Sequence, residues 1–342
     1  MAASLNTKLD PDTPRVFIAA AEVRSVLNSI FMSCGCSENT SQLVAEHLVD
    51  SSLCGVESHG VMRALQYVEQ FQNGYMNPHG EPSVSQNASG AIEISGQNGI
   101  GIPAMHLAYA QGMEQAQKAG ISALAIRNVG HTGRHGAFAD HAAECGFLTI
   151  CLGGGNRRTW RQVAPHGGAK AMLPTNPWCV GIPGGERGAV VMDFATSRIA
   201  GGWIYAAKSA GALLPDGCVI DSNGMPTRSP DDYFAGGAIL PSGGHKGYAL
   251  ALVGELIGEA MLGPATTECN WLLITMKGDH FRQRGDIKSV AEEILNELRI
   301  CPPAPGFERV EIPGEREREQ RQRSEGVVPL PEATWQQILA IH

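Results

Sequence analysis

Asn98-Gly-Ile-Gly-Ile-Pro-Ala104 matches G-x-G-x-x-A and lies between a strand candidate, Ala91–Ser95, and a helix candidate that runs to Gly120. Read as a dinucleotide fingerprint, it would make the chain a doubly wound Rossmann protein. Two residues oppose that. Pro103 removes one backbone N–H from the phosphate cradle, and it suits the first turn of a helix. The next strand, Ile121–Arg127, ends in Asn128 and not in the acidic residue that would hold a ribose hydroxyl. The stretch therefore reads as a glycine turn into a helix rather than as a strong fingerprint, and the fingerprint stays as the weaker alternative.

Working outward, short β-branched runs alternate with helices: Phe147–Leu152, Trp178–Ile182, Ala189–Asp193 and Trp271–Met276 as strands, and Gly136–Cys145, Gly247–Leu262 and Asp286–Ile300 as helices. Toward the N-terminus the texture is helical. Val16, Val23, Val26, Leu27, Ile30 and Phe31 predict a helix over 15–33. Ser37 caps a second helix that stops at Gly55, and a third starts near Ser58 and ends before Gly74. Residues 1–13 read as frayed. After Cys301-Pro-Pro-Ala-Pro-Gly306, Arg309–Ile312 is a strand candidate, and Glu315–Arg323 reads as a solvated helix face with i,i+4 charge pairs.

At 342 residues, the chain has a prior of about two domains at roughly 150 residues each. A net charge of −8 argues against nucleic acid and anionic membranes as main partners. No apolar run reaches the ~18 residues of a spanning helix, and Met1–Pro14 lacks a basic-then-apolar leader pattern. Nine scattered cysteines without a C-x-x-C pair read as buried, reduced thiols of a cytoplasmic protein.

Five segments could carry chemistry. In Ser58-His-Gly-Val-Met-Arg63 the helical reading puts His59 and Arg63 together, opposite the stripe of Val61, Leu65 and Val68. An Arg can clamp a carboxylate and a His can move a proton near neutral pH. The bland alternative is a helix cap followed by two solvated side chains. Asn128-Val-Gly-His-Thr-Gly-Arg-His135 follows a strand and leads into a helix, where α/β folds place ligands. With His141 it invites a metallohydrolase reading, but His135 and His141 share no helix face and no acidic or thiol ligand is near, so no metal is expected. Gly153-Gly-Gly-Asn-Arg-Arg158 and Pro241-Ser-Gly-Gly-His-Lys-Gly247 could each receive an anion or be plain turns. Asp193, at a strand end, could orient a histidine or a ribose.

These blocks in this order resemble the malate/L-lactate dehydrogenase family that is distinct from the Rossmann-type enzymes. The resemblance rests on Ser58–Arg63 with Tyr67-Val and Gly74, on Asn128–His131, on Val163-Ala-Pro-His-Gly-Gly168, and on Thr175-Asn-Pro177. Further blocks are Asp193-Phe-Ala-Thr-Ser197, Gly243–Gly247, and Pro302–Gly306 with Pro313-Gly-Glu315. Within the family, His131–Arg134 and the stretch from Pro215 to Thr227 look closest to the 2-hydroxycarboxylate dehydrogenase branch.

The resemblance implies a mixed, largely antiparallel cofactor-binding sheet flanked by helices. It implies a mostly helical domain over 1–85, completed by 300–342, and an α/β dinucleotide-binding domain over 86–299. It also implies a homodimer that uses NAD or NADP without a metal. His59 and His131 become the proton-transfer candidates, Ser58 and Asp193 a relay to His59, and Arg63 the substrate-binding residue. His131, Thr132, Gly133, Arg134, Val191, Met192, Asp193, His245, Lys246, Pro313, Gly314, Glu315 and Arg316 become the dinucleotide contacts. The chain departs from many members at Thr132, where they carry Phe or Tyr, and over Gly263–Asn270, which is shorter.

The reading is an oxidoreductase for a small 2-oxo or 2-hydroxy acid. A Δ1-pyrroline-2-carboxylate/Δ1-piperideine-2-carboxylate reductase, and a non-catalytic binder of a dinucleotide or metabolite, are the alternatives.

Overall fold

A computed structural model describes residues 14–209 and 211–342; the segment read as frayed lies outside them. The elements, in order, are β1 (Arg15–Ala19), α1 (Ala20–Ser33), α2 (Glu38–Leu53), α3 (Arg63–Gln72), β2 (Ser83–Gln86), β3 (Ile92–Ser95), α4 (Gly101–Ala119), β4 (Ile121–Arg127) and α5 (His135–Glu144). There follow β5 (Phe147–Gly154), β6 (Trp178–Ile182), β7 (Val190–Phe194), α6 (Gly201–Ser209), β8 (Val219–Ile220), β9 (Pro226–Thr227), α7 (Pro230–Phe234) and β10 (Ala238–Ile239). The chain ends with α8 (His245–Glu255), β11 (Asn270–Lys277), α9 (Arg284–Arg299), α10 (Glu315–Arg323), β12 (Val327–Pro331) and α11 (Glu332–Ala340).

Two compact units result. The larger holds residues 14–151, 179–193 and 272–342, and the smaller holds 152–178 and 194–271. Residues 14–85 and 300–342 thus belong to the same unit as most of the sheet.

The sheet has seven strands in the order β2-β3-β4-β11-β5-β6-β7 and is mostly antiparallel, as expected. β3 and β4 are its parallel pair, with Ile92 opposite Leu124, and α4 is the crossover between them. The buried face of α4 carries Met105, Ala108, Tyr109, Gly112 and Ala116, spaced by three or four. Gly112 is required there, because a Cβ would stand 2.7 Å from Thr275 Oγ1 on β11. Ile94, Leu124, Ile126 and Leu273 are essentially inaccessible; each buried aliphatic contributes about 1.5–3 kcal/mol before entropy is counted. The Ser37 hydroxyl accepts the Thr40 N–H at 3.1 Å and starts α2, as its sequence indicates.

Several local expectations are corrected. Residues 15–33 are not one helix. Arg15–Ala19 forms β1, antiparallel to β12 with Arg15 opposite Pro331 and Ala19 opposite Val327. The third helix does not start near Ser58. Glu57–His59 is a single 3-10 turn, Gly60 is extended (φ −97°, ψ −154°), and α3 opens at Arg63. Arg309–Ile312 is no strand, and the helix placed at Gly247 begins at His245, with a π-helical turn over Leu256–Met261 after it.

In the smaller unit, β10-β8-β9 form an antiparallel three-stranded sheet. Its core gathers Val163, Leu173, Ile204, Leu214, Val219 and Ile239. Gly154 and Gly254 let β5 and α8 touch backbone to backbone. Among the described residues, no helix is long and apolar enough to cross a membrane.

Candidate active site

The loop between β4 and α5 is the best-anchored segment among those singled out. His131, Thr132, Arg134 and His135 are all buried. The Arg134 guanidinium donates to Asp50 Oδ2 at 2.8 Å, and the Arg134 N–H donates to His47 Nε2 at 2.9 Å, so α2 grips the loop by side chain and backbone. Arg321 of α10 also pairs with Asp50, at 3.0 Å. At the far end, the Gly136 N–H donates to Asp193 Oδ2 at 2.6 Å, which places a carboxylate on the first turn of α5.

Two donors meet His131 Nδ1: the Gly133 N–H at 3.3 Å and the Tyr67 hydroxyl at 2.7 Å. Nδ1 is therefore the acceptor, and the neutral ring carries its proton on Nε2. Burial, and then the charge of Arg63, hold His131 well below the ordinary histidine range, so the ring is neutral at pH 7.

His59 stands beside it, ring centroids 5.3 Å apart. Its Nδ1 lies 3.0 Å from Ser58 Oγ. Desolvation, and then Arg63, push His59 down to about 3. Arg63 fixes the same turn: its Nε donates to Ser58 O at 2.6 Å and its Nη1 donates to Gln66. Nη2 has no bond among the described residues. Ser58, His59, Arg63 and His131 are thus brought together, although His59 and Arg63 share no helix; a backbone bend does what one helical turn was expected to do.

Asp193 is placed differently from the expected relay. It bonds the Gly136 N–H, and among the described residues it has no hydrogen bond to Ser58 or His59. Its carboxyl is pushed up by the surrounding protein, an effect that the Gly136 N–H and Arg134 oppose. Thr132 Oγ1 lies 2.7 Å from His135 Nε2.

Pro313–Arg316 does adjoin Val191–Asp193: the Val191 N–H donates to Pro313 O at 3.1 Å. Glu315 is buried and bound to Arg299, while Arg316 pairs with Glu317. Arg318 reaches Asp140 at 2.8 Å and Ala189 O at 2.7 Å. α10 is therefore not the wholly solvated helix its charge run suggests. Met192 is half-buried on β7 between them.

His245 and Lys246 belong to the smaller unit, at the N-terminus of α8, behind Gly243 and Gly244 at φ +59° and +62°. Both are exposed, and Lys246 has no acidic partner among the described residues.

The two other glycine segments are used internally. The Gly99 N–H donates to Gly96 O and the Gly101 N–H to His131 O, so neither can cradle a phosphate. In Gly153–Arg158, the Gly155 and Asn156 N–H groups, each 3.1 Å from its acceptor, are taken by Glu255 and Glu259, and Gly154 packs on α8.

Sequence reasoning gave no role to Tyr67, Gln66, His47 and Asp50. A signal existed for three of them. Tyr67 is one helical turn after Arg63, and His47, Asp50 and Cys54 fall on one face of α2.

Known proteins resemble this chain over most of its length. The family model for malate/L-lactate dehydrogenase matches residues 18–339. Hydroxycarboxylate dehydrogenase B of Escherichia coli O157:H7 is 31% identical over 337 residues, covering 93% of this chain and 91% of that protein. A Δ1-pyrroline-2-carboxylate/Δ1-piperideine-2-carboxylate reductase of Pseudomonas putida is 34% identical over 254 residues, covering 74% and 73%. The crystal structure of Δ1-piperideine-2-carboxylate reductase from Pseudomonas syringae superposes with a TM-score of 0.84 at 26% identity, covering 96% of this chain and all of that one.

Proposed function

The chain belongs to the malate/L-lactate dehydrogenase family and is an oxidoreductase of its hydroxy-acid type; from that premise we propose that it moves hydride between NAD or NADP and C2 of a small 2-hydroxy or 2-oxo carboxylic acid. The observation that carries this is the gathering of Arg63, His59 and His131 on one turn and one loop. These residues supply a carboxylate clamp and two imidazoles that are neutral at pH 7.

Arg63 binds the substrate carboxylate through the part of its fork that Ser58 and Gln66 leave unused. His131, with its proton on Nε2, donates a hydrogen bond to the C2 oxygen. His59 moves the proton. Desolvation is the main cause of the His59 depression and Arg63 the second; a carboxylate arriving on Arg63 offsets that second part, so substrate binding raises the proton affinity of His59. In the oxidative direction the same neutral imidazole is the base. Ser58 orients His59. Asp193 acts by holding the start of α5, and with it the His131 loop.

A nicotinamide dinucleotide fits the donors present. In the larger unit, His131–Arg134, Val191–Asp193 and Pro313–Arg316 are the segments assigned to it, and the Gly99 and Gly101 amides are already spent. The start of α8 in the smaller unit, where His245 and Lys246 are exposed, by itself suits an anion. When bound, the nicotinamide gives or takes the hydride. Nine free cysteines support a reducing compartment, the cytoplasm, and we assign a homodimer with no metal.

A screen of 2-oxo acids and cyclic imines with NADH and NADPH, following the absorbance of the reduced nicotinamide, tests the reading. Turnover with no acid in either cofactor would refute it. The 34% identity to the Pseudomonas putida reductase supports a second reading, reduction of a cyclic imine bearing a 2-carboxylate. It uses the same clamp but protonates nitrogen, and the same screen separates the two.

A further inference from the structure

The smaller unit contains a cavity of about 630 Å³ lined by Arg161, Lys170, Tyr205, Tyr233 and Phe234, with Gly236 at its wall. None of these residues has a part in the chemistry above. The volume is that of a small-molecule site, for which roughly 300–1,000 Å³ is usual.

Two features of the lining suit an anion that carries a ring. The first is charge. Arg161 and Lys170 face one cavity, and neither has an acidic partner among the described residues; Arg161 only donates its Nε to Arg157 O at 2.8 Å. Both side chains are exposed, whereas the nearby Lys208 is paired with Asp231 at 3.2 Å. The guanidinium ends of Arg161 and the Lys170 ammonium remain available to one anion.

The second feature is the aromatic wall. Tyr205 meets Phe234 edge to face at 4.9 Å, and Tyr233 meets it at 5.2 Å. Lys208 sits 4.4 Å over the Phe234 ring, so Phe234 is held from three sides. Tyr205 is nonetheless 61% exposed, a large apolar surface left to water beside the unpaired cations. Gly236, at φ +103°, has only Ser222 Cβ within 4 Å of where its own Cβ would be, so the wall is open there to a flat group.

We propose that this cavity is a second binding site, for a small planar anion: an aromatic ring stacked on Tyr205 and Phe234 that carries a phosphate or carboxylate on Arg161 and Lys170. The ligand need not resemble a nicotinamide dinucleotide or a short-chain hydroxy acid. The site is made wholly by residues of the smaller unit, whereas Arg63, His59 and His131 belong to the larger.

The test is calorimetric titration of the full chain with phenyl phosphate, and separately with benzoate, inorganic phosphate and phenol. Binding of either aryl anion at least tenfold tighter than phosphate or phenol is expected, and phenyl phosphate against benzoate tells which anion is preferred. Arg161→Ala and Lys170→Ala should each weaken binding about tenfold, and Tyr205→Ala by a similar factor, with unchanged circular dichroism and unchanged turnover in the acid screen. Saturating NADH should leave the titration unaltered. The proposal is overturned by absence of saturable binding, by binding indifferent to Arg161 and Lys170, or by displacement with NADH. Because binding is read without turnover, these outcomes are independent of which acid the enzyme reduces.

Discussion

The Tyr67 hydroxyl lies 2.7 Å from Nδ1 of His131, on a ring nitrogen that also receives the Gly133 N–H. The phenol comes from α3 and the imidazole from the β4–α5 loop, so one contact locks the orientation and the tautomer of the ring at once. Tyr67→Phe keeps the packing and removes one of the two donors. Turnover should fall by about tenfold, the worth of roughly 1.4 kcal/mol, with little change in KM for the acid. Steady-state kinetics check this, and a rise in KM alone would place Tyr67 in substrate binding instead.

Arg63→Lys keeps the charge and loses the fork as well as the anchor on Ser58 O. The efficiency kcat/KM should drop at least about tenfold. Affinity for NADH, measured by fluorescence titration, should stay nearly unchanged.

His59→Asn should cut turnover by roughly 10²–10⁴ if that ring moves the proton. His131→Asn should cut it too, by loss of the hydrogen bond to the C2 oxygen. Near-normal turnover in both single variants would take the histidines out of the mechanism.

Four imidazoles sit together in the larger unit with depressed pKa values. His59 and His135 are near 3, and His47 and His131 are well below 6.5, in every case chiefly through desolvation. The unfolded chain binds protons on these rings from about pH 6.5 down, while the folded chain does not. The stability gained from keeping them neutral is intact above pH 6.5 and is lost as the pH falls toward 3. Each fully buried ring accounts for on the order of 1 kcal/mol per pH unit in that window. Urea midpoints should therefore decline steadily between pH 7 and 5, and a flat profile would contradict the burial of the cluster.

Gly154→Ala should destabilise by several kcal/mol, since a Cβ there runs into the Gly254 backbone of α8, which cannot yield. Gly167→Ala meets nothing within 4 Å and pays only for its φ of +81°, about 1 kcal/mol. Thermal unfolding of the pair distinguishes a packing glycine from a turn glycine.

Most of the sheet was legible because its strands are apolar runs bounded by turn residues; Ile121–Arg127 and Trp178–Ile182 were readable to the residue, but the exposed, polar β2 was not. β1 was not, because Val16 and Ile18 continue the helical spacing of α1 without a break, and its partner lies more than 300 positions away. The break at Gly60 was hidden for a related reason. Nothing in Ser58–Arg63 marks an extended glycine, and Gly60 is held by Ser52, against which a Cβ there would collide. Of the site, Ser58, His59, Arg63 and His131 could be named in advance. The bonds that connect them, Tyr67 to His131 and Asp50 to Arg134, join elements far apart in sequence, and only folding reveals them.

The pairing of β1 with β12 also sets a timetable for synthesis. Arg15 emerges from the ribosome more than 300 residues before its partner Pro331, and it waits for it. The larger unit draws on residues 14–151, 179–193 and 272–342, so β12 is made after every other strand described. Residues 152–271 contain all of the smaller unit described here and are available well before that. During elongation, the smaller unit can gather its contacts while β1 and the sheet edge beside β7 remain without the segments that cover them. Unpaired strand edges of this kind are open to aggregation until their partners are made.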